Sequence, residues 1–592
     1  MNLVTELSPR WDLSDLYAGL DDPRIALDLE RLGGEATRFR ETCRGKAPGA
    51  TPETLVTWIR SHESLVQDLF ELSGYAALVF STDSISEPTK VFYERIQSTC
   101  SQILNDLQFF EVELKELEQP RFDTLLAAQA IAPYRHHLQR LRQAAPHTLS
   151  DAEERLANLK NLTGTRAWQQ LYSETTAGMR FPVDRGEGEA ELNLSEVRAL
   201  RAHPDRSLRE RSVQALLQGF SDRGSLFGFI TNTLYQDHTL DLKLRQYPRV
   251  YSSTLLEDDV DEEVFHALIE TIESGYDLVH AYYGLKAKAL GLSDFAGHDL
   301  LAPYGSSPRR IPYPEACQIV TSTFDAFTPV FGDIAREFIH RGWIDVPSAT
   351  GKQGGAFCAG VSPRLHPWIL LNYTERLEDI ATLAHELGHG IHFMLSRKQS
   401  FFQYQAVTPM AEMASTFGEL LVLERLLATE TDPEVQLQLR AKRFEDAIVT
   451  VFRQTMYTRW EWRVRELALE GPLGADTLCQ IWSEETARLY GNGVAFSPLE
   501  RWGWATIPHL AHHRFYCYSY AFGQLLVYAL FQKFRDEGSS FVPGFLEALS
   551  SGSSASPGQI LAAIGQDIRD PHFWRRGLTY LKTTLSDFAA TL

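Results

Sequence analysis

The segment Thr382-Leu-Ala-His-Glu-Leu-Gly-His-Gly-Ile-His392 determines how the rest of this sequence is interpreted. Apolar residues recur around it at steps of three and four, which predicts one amphipathic helix over residues 374–396. His385 and His389 are four positions apart, so their imidazoles emerge one above the other on one side of that helix. This spacing lets both rings bind a single tetrahedral metal ion. We therefore predict one Zn2+ per chain at this helix.

Two residues between the histidines have predicted roles of their own. Glu386 follows the first histidine directly, so its carboxylate can reach a water at the metal without binding the metal. A catalytic zinc lowers the pKa of such a water to roughly 7. Glu386 is therefore predicted to act as a general base that takes a proton from the water and delivers it to a leaving amine. Gly388 is expected to leave room beside the metal, where a larger side chain would be too close.

A catalytic zinc needs a third protein ligand and an open fourth position. A third histidine in the pattern HExxHxxGxxH is excluded, because His392 stands where that pattern requires glycine and Leu395 where it requires histidine. Glu412 is the candidate instead. It lies in the segment Met410-Ala-Glu-Met-Ala414, an apolar setting in which a carboxylate needs a partner such as a metal.

Three further acidic residues leave alternatives open. Glu419 lies two turns beyond Glu412 on the same helix face, where it could be the rival ligand or a group that orients a ligand. Glu378 and Asp379 precede the motif by about two turns. They could orient an imidazole, or they could form a solvated acidic turn near the start of the helix.

Helical periodicity dominates the rest of the sequence and predicts a mostly α fold. Residues 179–194 alternate around a glycine-rich centre, which predicts a β-hairpin. This hairpin is also the predicted seam between an N-terminal helical region, residues 1–190, and a catalytic region, residues 191–592. Residues 347–372 contain several glycines and then an apolar run, which predicts a loop and a short strand leading into the motif helix.

Charge and composition exclude several classes of partner. The formal net charge is −20, which argues against nucleic acid and against an anionic membrane surface. No apolar run approaches the roughly 20 residues that span a bilayer. The first twenty residues lack the apolar core of a secretory signal, and the six cysteines are widely spaced without a CxxC pair. We expect a soluble, cytoplasmic protein with reduced thiols.

Five motifs follow one another along nearly the whole chain: WDLSDLY at 11–17, GKQGGAFC at 351–358, TLAHELGHGIH at 382–392, AEMAST at 411–416 and IPHLAHHRFYCYSYAFG at 507–523. In this order they resemble the oligoendopeptidase F branch of the thimet-oligopeptidase-like zinc metallopeptidases. The resemblance implies a large, multi-lobed helical fold that encloses a deep substrate channel, with a small β element near the active site. It implies His385, His389 and Glu412 as zinc ligands and Glu386 as the general base.

The same resemblance implies an endopeptidase that hydrolyses internal bonds of short, unstructured peptides. The channel would admit such peptides and exclude folded proteins. It also implies that one glycine-rich segment lies along the substrate backbone, namely Gly354, Gly355 and Ala356.

Hydrogen-bond donors from the last motif are also implied in the active site: His509, Tyr516 and Tyr518. Attack on an amide builds a negative oxygen, and a donor at that oxygen stabilises the transition state more than the ground state. Tyr516 and Tyr518 lie on nearly opposite sides of a helix, so both cannot face one site equally. Which of these two tyrosines, or Tyr520, is the donor stays open from the sequence.

Three alternatives remain. An exopeptidase releasing dipeptides from the C-terminus would need a cationic or amide clamp for the substrate carboxylate, which the sequence does not locate. A catalytically silent, metal-containing peptide-binding protein would be expected to have lost Glu386, which is present. A cysteine peptidase using Cys358 and His366 would need a group that orients the histidine.

Overall fold

The computed structural model describes residues 9–186, 188–305 and 310–592, and these residues are predominantly α-helical. Their contacts group them into two compact units, each built from segments far apart in sequence. The first unit comprises the described residues of Met1–Ala145, Arg309–Ala428 and Phe534–Gln566. The second unit comprises those of Pro146–Pro308, Thr429–Lys533 and Asp567–Leu592. The predicted mostly α fold is confirmed, whereas the substrate channel stays a prediction.

The α-helices that lie wholly or mainly in the first unit are Pro23–Cys43, Pro52–Thr82, Glu87–Leu107, Phe109–Lys115, Gln119–Ala127, Arg135–Ala144, Tyr313–Phe327, Pro329–His340, Leu377–Ser396, Phe401–Tyr404, Thr408–Ala411, Met413–Thr429, Val542–Leu549 and Pro557–Ala563. Those of the second unit are Asp151–Asn161, Thr165–Gly178, Leu194–Ala199, Arg206–Ser221, Gly224–Leu244, Ser252–Asp258, Glu262–Glu273, Tyr276–Ala289, Pro433–Ala447, Gln454–Ala468, Ala475–Tyr490, His509–His512, Cys517–Glu537 and Pro571–Ala589. A π-helix, Ile448–Arg453, joins two of the latter. Short 3-10 helices are Ala47–Gly49, Gln129–Tyr134, Ala145–His147, Leu200–Ala202, Gly297–Asp299, Pro498–Thr506 and Gly538–Phe541.

Local sequence explains where many of these helices begin. Proline occupies the first turn of the helices that start at Pro23 and Pro52, where its missing N–H costs nothing. The side chains of Asp22 and Thr51 cap the same two helices by accepting a backbone N–H. Helix ends of this kind are set by neighbouring residues, so the sequence predicts them without knowledge of the tertiary fold.

The predicted hairpin is present in the second unit. Strand β1 (Phe181–Asp184) pairs antiparallel with β2 (Glu189–Leu192), and Phe181 lies opposite Leu192. Gly186 and Gly188 adopt φ angles of 91° and 120° between the strands, which glycine reaches without a steric penalty.

A three-stranded sheet in the first unit leads into the motif helix, Leu377–Ser396. Its strands are β3 (Ile344–Pro347), β4 (Phe357–Ala359) and β5 (Trp368–Tyr373), in the order β3-β5-β4. The central strand β5 is parallel to β3 and antiparallel to β4. Trp368, Ile369 and Leu370 in β5 are completely buried, so this sheet is part of the core on which the motif helix rests.

The last segment of the first unit packs on the middle one. Phe545 contacts Phe417 with a ring-centroid distance of 4.5 Å. The backbone N–H of Ser553 donates to the carbonyl of Gln403 at 2.9 Å, and the Gln399 amide donates to the carbonyl of Ser550 at 2.9 Å. Residues 534–566 are therefore an integral part of this unit.

The division predicted near residue 190 does not coincide with a boundary between the compact units, because the hairpin lies inside the second unit. As a division of the sequence into an N-terminal and a catalytic region it stays a prediction. Among the helices of the described residues, none is both long enough and apolar enough to cross a membrane.

Candidate active site

The motif helix is fixed by a buried apolar face and by a cap. Ile380, Leu383, Leu387 and Ile391 are all completely buried. At the N-terminus, the Asp379 carboxylate accepts the backbone N–H groups of the residues at positions 374 and 376, at 2.7 and 3.0 Å. Asp379 is therefore a helix cap and does not orient an imidazole. Two histidines project from the helix on the side away from the apolar face.

Three side chains converge in this part of the first unit: His385, His389 and Glu412. Glu412 Oε2 lies 3.2 Å from His385 Nε2 and 3.3 Å from His389 Nε2. One ligand atom from each residue falls within 4.8 Å of the other two. Zinc bonds of about 2.0–2.1 Å in a tetrahedron separate neighbouring ligand atoms by about 3.3–3.4 Å. The two measured distances match this spacing, so the residues fit a tetrahedral metal that has one position left open.

The electrostatics of the three groups favour a positive charge between them. Burial lowers the pKa of His385, but contacts with Glu412 and Glu419 outweigh it and raise the pKa to about 10. Burial raises the pKa of Glu412, whereas the two imidazoles lower it further and hold it far below its usual range. A metal cation at this point would replace the proton that the histidine otherwise retains.

Two side chains orient the candidate ligands. Glu419 Oε2 lies 3.3 Å from His385 Nδ1, the ring nitrogen that does not face Glu412. The Ser415 hydroxyl donates to Glu412 Oε2 at 2.8 Å. Contacts of this kind fix the ring orientation and the carboxylate position of metal ligands. Glu419 therefore has the geometry of an orienting group, and Glu412 has that of the ligand.

Glu386 is almost completely buried, with 6% of its surface exposed. Its Oε2 atom has no hydrogen-bond partner among the described residues. Burial raises the pKa of this carboxylate, and the positive charge of the two histidines partly offsets the increase. A buried carboxylate oxygen without a partner is unusual and calls for a role beyond packing.

Gly388 has a different role from the one predicted. A Cβ atom at this position would lie 2.4 Å from Ser415 Cα and 2.6 Å from the Ala414 carbonyl oxygen. Glycine is therefore needed because the motif helix packs directly against the backbone of the helix Met413–Thr429. The sequence predicted that the space is needed beside the metal, whereas the structure places it at the backbone of this neighbouring helix, where Ser415 contacts Glu412.

Replacing Gly388 by alanine is expected to lower the free energy of unfolding by about 1–3 kcal/mol, the usual cost of overpacking. The backbone at Ser415 must move, and Glu412 moves with it, so zinc affinity should fall as well. Thermal unfolding and zinc titration measure the two effects. Gly284→Ala is the matched control, because Gly284 lies inside an α-helix with open space at its Cβ. Equal melting temperatures for the two variants would contradict this account of Gly388.

The predicted substrate segment is an exposed loop that leads into β4. A Cβ added to Gly354 or Gly355 would meet no atom within 4 Å, and Gly355 has a φ of 83°. The side-chain amide of Asn372 donates to the carbonyls of Gln353 and Gly355 at 2.9 and 2.8 Å. Asn372 belongs to the central strand β5, so this strand holds the loop, with Ala356 at its end, beside the edge strand β4.

This edge strand runs next to the motif helix. A Cβ on Gly360, directly after β4, would lie 2.4 Å from the Phe393 ring of that helix. The negative charge of Glu386 also contributes to the raised pKa of the Cys358 thiol in β4, after the larger effect of burial. The loop residues Gly354, Gly355 and Ala356 therefore belong to the same part of the first unit as Glu386.

The cysteine peptidase alternative is not supported by these contacts. A nucleophilic cysteine requires a lowered pKa, whereas that of Cys358 is raised well above its usual value. His366 is engaged elsewhere, with its ring stacked on Trp343 at 3.9 Å and its nitrogens 2.9 Å from the Pro367 carbonyl and 3.1 Å from Asp15.

In the second unit, the structure brings together His509, Tyr516 and Tyr520. The rings of His509 and Tyr516 are parallel, 5.8 Å apart, and the Tyr520 hydroxyl lies 3.4 Å from His509 Nε2. Burial and the neighbouring His513 lower the pKa of His509. These three side chains are partly exposed, so each can reach a ligand.

Tyr518 is separate from this group. It is completely buried, and its hydroxyl donates to Asp258 Oδ2 at 2.5 Å. Tyr518 lies on the inner side of the helix Cys517–Glu537 and Tyr520 on another side, while Tyr516 directly precedes this helix. The burial of Tyr518 therefore does not support the predicted catalytic role. Tyr520 replaces it as the candidate donor.

A buried ion pair shapes the turn that precedes these tyrosines. Phe515 adopts a φ of 53° and is completely buried. Its N–H donates to Glu461 Oε1 at 3.1 Å, and the same oxygen accepts from Arg465 at 2.7 Å. A phenylalanine in the left-handed region is strained, so this pair stabilises the turn. Glu461 could not be identified from the sequence, because Phe515, whose N–H it accepts, is 54 residues away in the chain.

The comparisons with known proteins agree on one group. A profile described as peptidase family M3 matches residues 199–580, and one described as oligopeptidase F matches residues 113–181. An oligoendopeptidase F homolog from Lactococcus lactis is 24% identical over 591 residues, and the matched region covers 99% of this chain and 97% of the homolog. The oligopeptidase PepF of Bacillus subtilis is 25% identical over 517 residues, and the matched region covers 86% of this chain and 77% of PepF.

Solved structures show the same fold. A crystal structure from Chlamydophila abortus, of a protein assigned as a peptidase, matches with a TM-score of 0.90 at 24% identity and covers 99% of both chains. The oligoendopeptidase-F of Enterococcus faecium matches with a TM-score of 0.72 at 20% identity, covering 96% of this chain and 98% of its own.

Proposed function

The chain belongs to peptidase family M3, and from this we propose that it is a zinc-dependent endopeptidase that hydrolyses internal bonds of short oligopeptides. Membership of this family makes the protein a metallopeptidase. Zinc as the metal, internal cleavage and the restriction to short peptides are the proposed part. The observation that carries the proposal is the convergence of His385, His389 and Glu412 at tetrahedral spacing beside the buried carboxylate of Glu386.

Each residue has a defined task in the proposed reaction. His385, His389 and Glu412 hold the zinc, and Glu419 keeps the His385 ring in orientation. When bound, zinc would polarise the scissile carbonyl and make an attacking water more acidic. The free Oε2 of Glu386 accepts the proton of that water and then donates it to the amine that leaves.

Other groups bind the peptide backbone and stabilise the negative charge that develops on the scissile carbonyl oxygen. The peptide backbone forms hydrogen bonds with the segment Gly354, Gly355 and Ala356. The two glycines are exposed and have no side chains that would cover the backbone amides. We propose His509, Tyr516 and Tyr520 as donors to the carbonyl oxygen that gains negative charge. This assignment rests on the resemblance of the sequence motif and on the contacts among the three side chains. We also propose a cytoplasmic location, which six free thiols favour.

The tyrosine assignment is tested by two phenylalanine variants. Tyr520→Phe is expected to lower kcat by up to about 100-fold with little change in KM, because it removes a donor that acts in the transition state. Tyr518→Phe should leave both constants unchanged and lower the free energy of unfolding by about 1–3 kcal/mol, because the buried Asp258 loses this donor. Steady-state kinetics and thermal unfolding distinguish these results. A larger kinetic loss in Tyr518→Phe would reverse the assignment.

The function is tested with the zinc-loaded protein and a pool of unstructured peptides of varied length, analysed by mass spectrometry. Internal cleavage of short peptides, abolished by a chelator and restored by zinc, is the expected result. Peptides with blocked C-termini should be cut equally well. If only peptides with a free C-terminus lose dipeptides, the protein is an exopeptidase. If the zinc-loaded protein cuts nothing, it is a metal-containing binding protein.

A further inference from the structure

The second unit contains a cavity of about 110 Å³ with an unusual lining. Two arginines, Arg201 and Arg453, two tyrosines, Tyr457 and Tyr490, and one carboxylate, Glu500, face it together with apolar side chains. Arg453 is the last residue of the π-helix Ile448–Arg453. Such irregular turns occur frequently at functional sites, and none of the roles proposed above uses these residues.

The two arginines lack sufficient negative charge around them. Within the described part of the chain, the side chain of Arg201 makes no hydrogen bond or ion pair, and the Nε of Arg453 donates to the Tyr490 hydroxyl at 3.2 Å. The partners of Arg453 are tyrosines and not carboxylates. Burial and the nearby charge of Arg453 lower the pKa of Arg201, and Tyr457 and Glu500 offset this only in part. Both arginines are only partly buried, and two like charges held close together favour an anion between them.

Glu500 alone does not neutralise the two arginines. It lines the same cavity, but among the described residues it forms no ion pair with either arginine. Burial raises the pKa of its carboxyl, and the two arginines only partly offset this effect. One carboxylate against two guanidinium groups leaves at least one net positive charge in the cavity.

Thr486 provides an independent observation. Its side chain lines the cavity and only 8% of its surface is exposed. Its hydroxyl has no hydrogen-bond partner among the described residues. Because buried hydroxyl groups are nearly always hydrogen-bonded, an acceptor inside the cavity would satisfy it.

A larger cavity adjoins the first. It has a volume of about 510 Å³ and shares with the small cavity the side chains of Trp482, Thr486, Phe496 and Glu500. An apolar cavity of roughly 150 Å³ holds a benzene molecule, so the small cavity has space for a charged group and one or two carbons. The remainder of a ligand would occupy the larger cavity.

We propose that the small cavity binds the carboxylate of an organic ligand, either a free small acid or the C-terminal residue of a peptide. The two guanidinium groups hold the carboxylate oxygens, since their paired N–H groups match that shape. The Thr486 hydroxyl donates a further hydrogen bond. The apolar rings of Trp482 and Phe496 contact the carbon part of the ligand at the passage to the larger cavity.

Binding is measured on the full-length protein by calorimetry and thermal unfolding at constant ionic strength. The probes are acetate against acetamide, and N-acetylalanine, which copies a peptide end, against its amide. The two acids should bind and raise the melting temperature, and the two amides should not. If only acetate binds, the ligand is a free small acid. If both acids bind, the C-terminal residue of a peptide is also a ligand.

Four variants locate the site. Arg201→Met and Arg453→Met should weaken acetate binding at least tenfold, and Thr486→Val should weaken it several-fold. Arg501→Gln is the matched control, because Arg501 lines only the larger cavity and is paired with Asp476 at 2.7 Å. Without ligand, Arg201→Met should melt no earlier than the wild type, because it removes a repulsion between two guanidinium groups. Arg453→Met also loses the hydrogen bond to Tyr490, so it should melt earlier than Arg201→Met. If either variant is unstable, Thr486→Val still tests the site.

Three outcomes would overturn the proposal. The first is equal stabilisation by the acids and by their amides. The second is binding of chloride or inorganic phosphate as strong as that of acetate, which would make the cavity a general anion site. The third is acetate binding by Arg453→Met that equals that of the wild type.

Discussion

Replacing Glu386 by glutamine is expected to lower kcat/KM for a short peptide by about 10²- to 10⁴-fold, the usual contribution of a positioned general base, while the protein keeps its zinc. Glutamine has the same shape but cannot accept a proton. Its amide can occupy the same buried position, so the fold and the three ligands should be unaffected. Kinetics, zinc content by mass spectrometry and the melting temperature together separate lost chemistry from lost structure.

Glu378→Gln is the matched control for this experiment. Glu378 lies on the same helix but is exposed and paired with Arg376 at 3.3 Å, so its replacement should leave kcat/KM within about twofold, as expected for a surface site. Activity above a tenth of the wild-type value in Glu386→Gln would show that another group is the base.

Replacing Glu412 by alanine is expected to remove both zinc and activity. Two histidines alone leave the metal half-coordinated, so zinc affinity should fall more than about 100-fold, beyond the usual effect of losing an orienting group. Zinc should raise the melting temperature of the wild type, because it binds the folded state only, and should no longer do so in the variant. Competition titration against a chelator measures the affinity directly.

Glu419→Gln provides the comparison. It changes only the group that contacts the second nitrogen of His385, so zinc affinity should fall about 10- to 100-fold. If Glu412→Ala retains zinc and Glu419→Gln loses it, the ligand role belongs to Glu419.

The sequence predicts those parts of the site that depend on local spacing. The motif helix, the two histidines on one side of it and the β-hairpin follow from periodicities of a few residues, and the structure contains all three. The apolar setting of Glu412 was also visible in the sequence, because its flanking residues are adjacent.

Features that depend on distant contacts could not be predicted. The role of Gly388 depends on Ser415 in another helix, and the position of Tyr518 depends on Asp258, 260 residues earlier. The compact units combine segments from different parts of the chain, so no local change in composition marks their boundaries. The positive cavity around Arg201 and Arg453 likewise brings together residues that no sequence motif connects.

The segmented construction of the first unit has a consequence for synthesis on the ribosome. The helix Met413–Thr429, which follows Glu412 and carries Glu419, packs through Phe417 on the ring of Phe545. These partners are translated more than a hundred residues apart, so the metal-binding unit cannot be completed until residues 534–566 have emerged from the ribosome. Metal binding is therefore expected to follow synthesis of this segment, and shortened products ending before residue 534 should be unable to retain the metal.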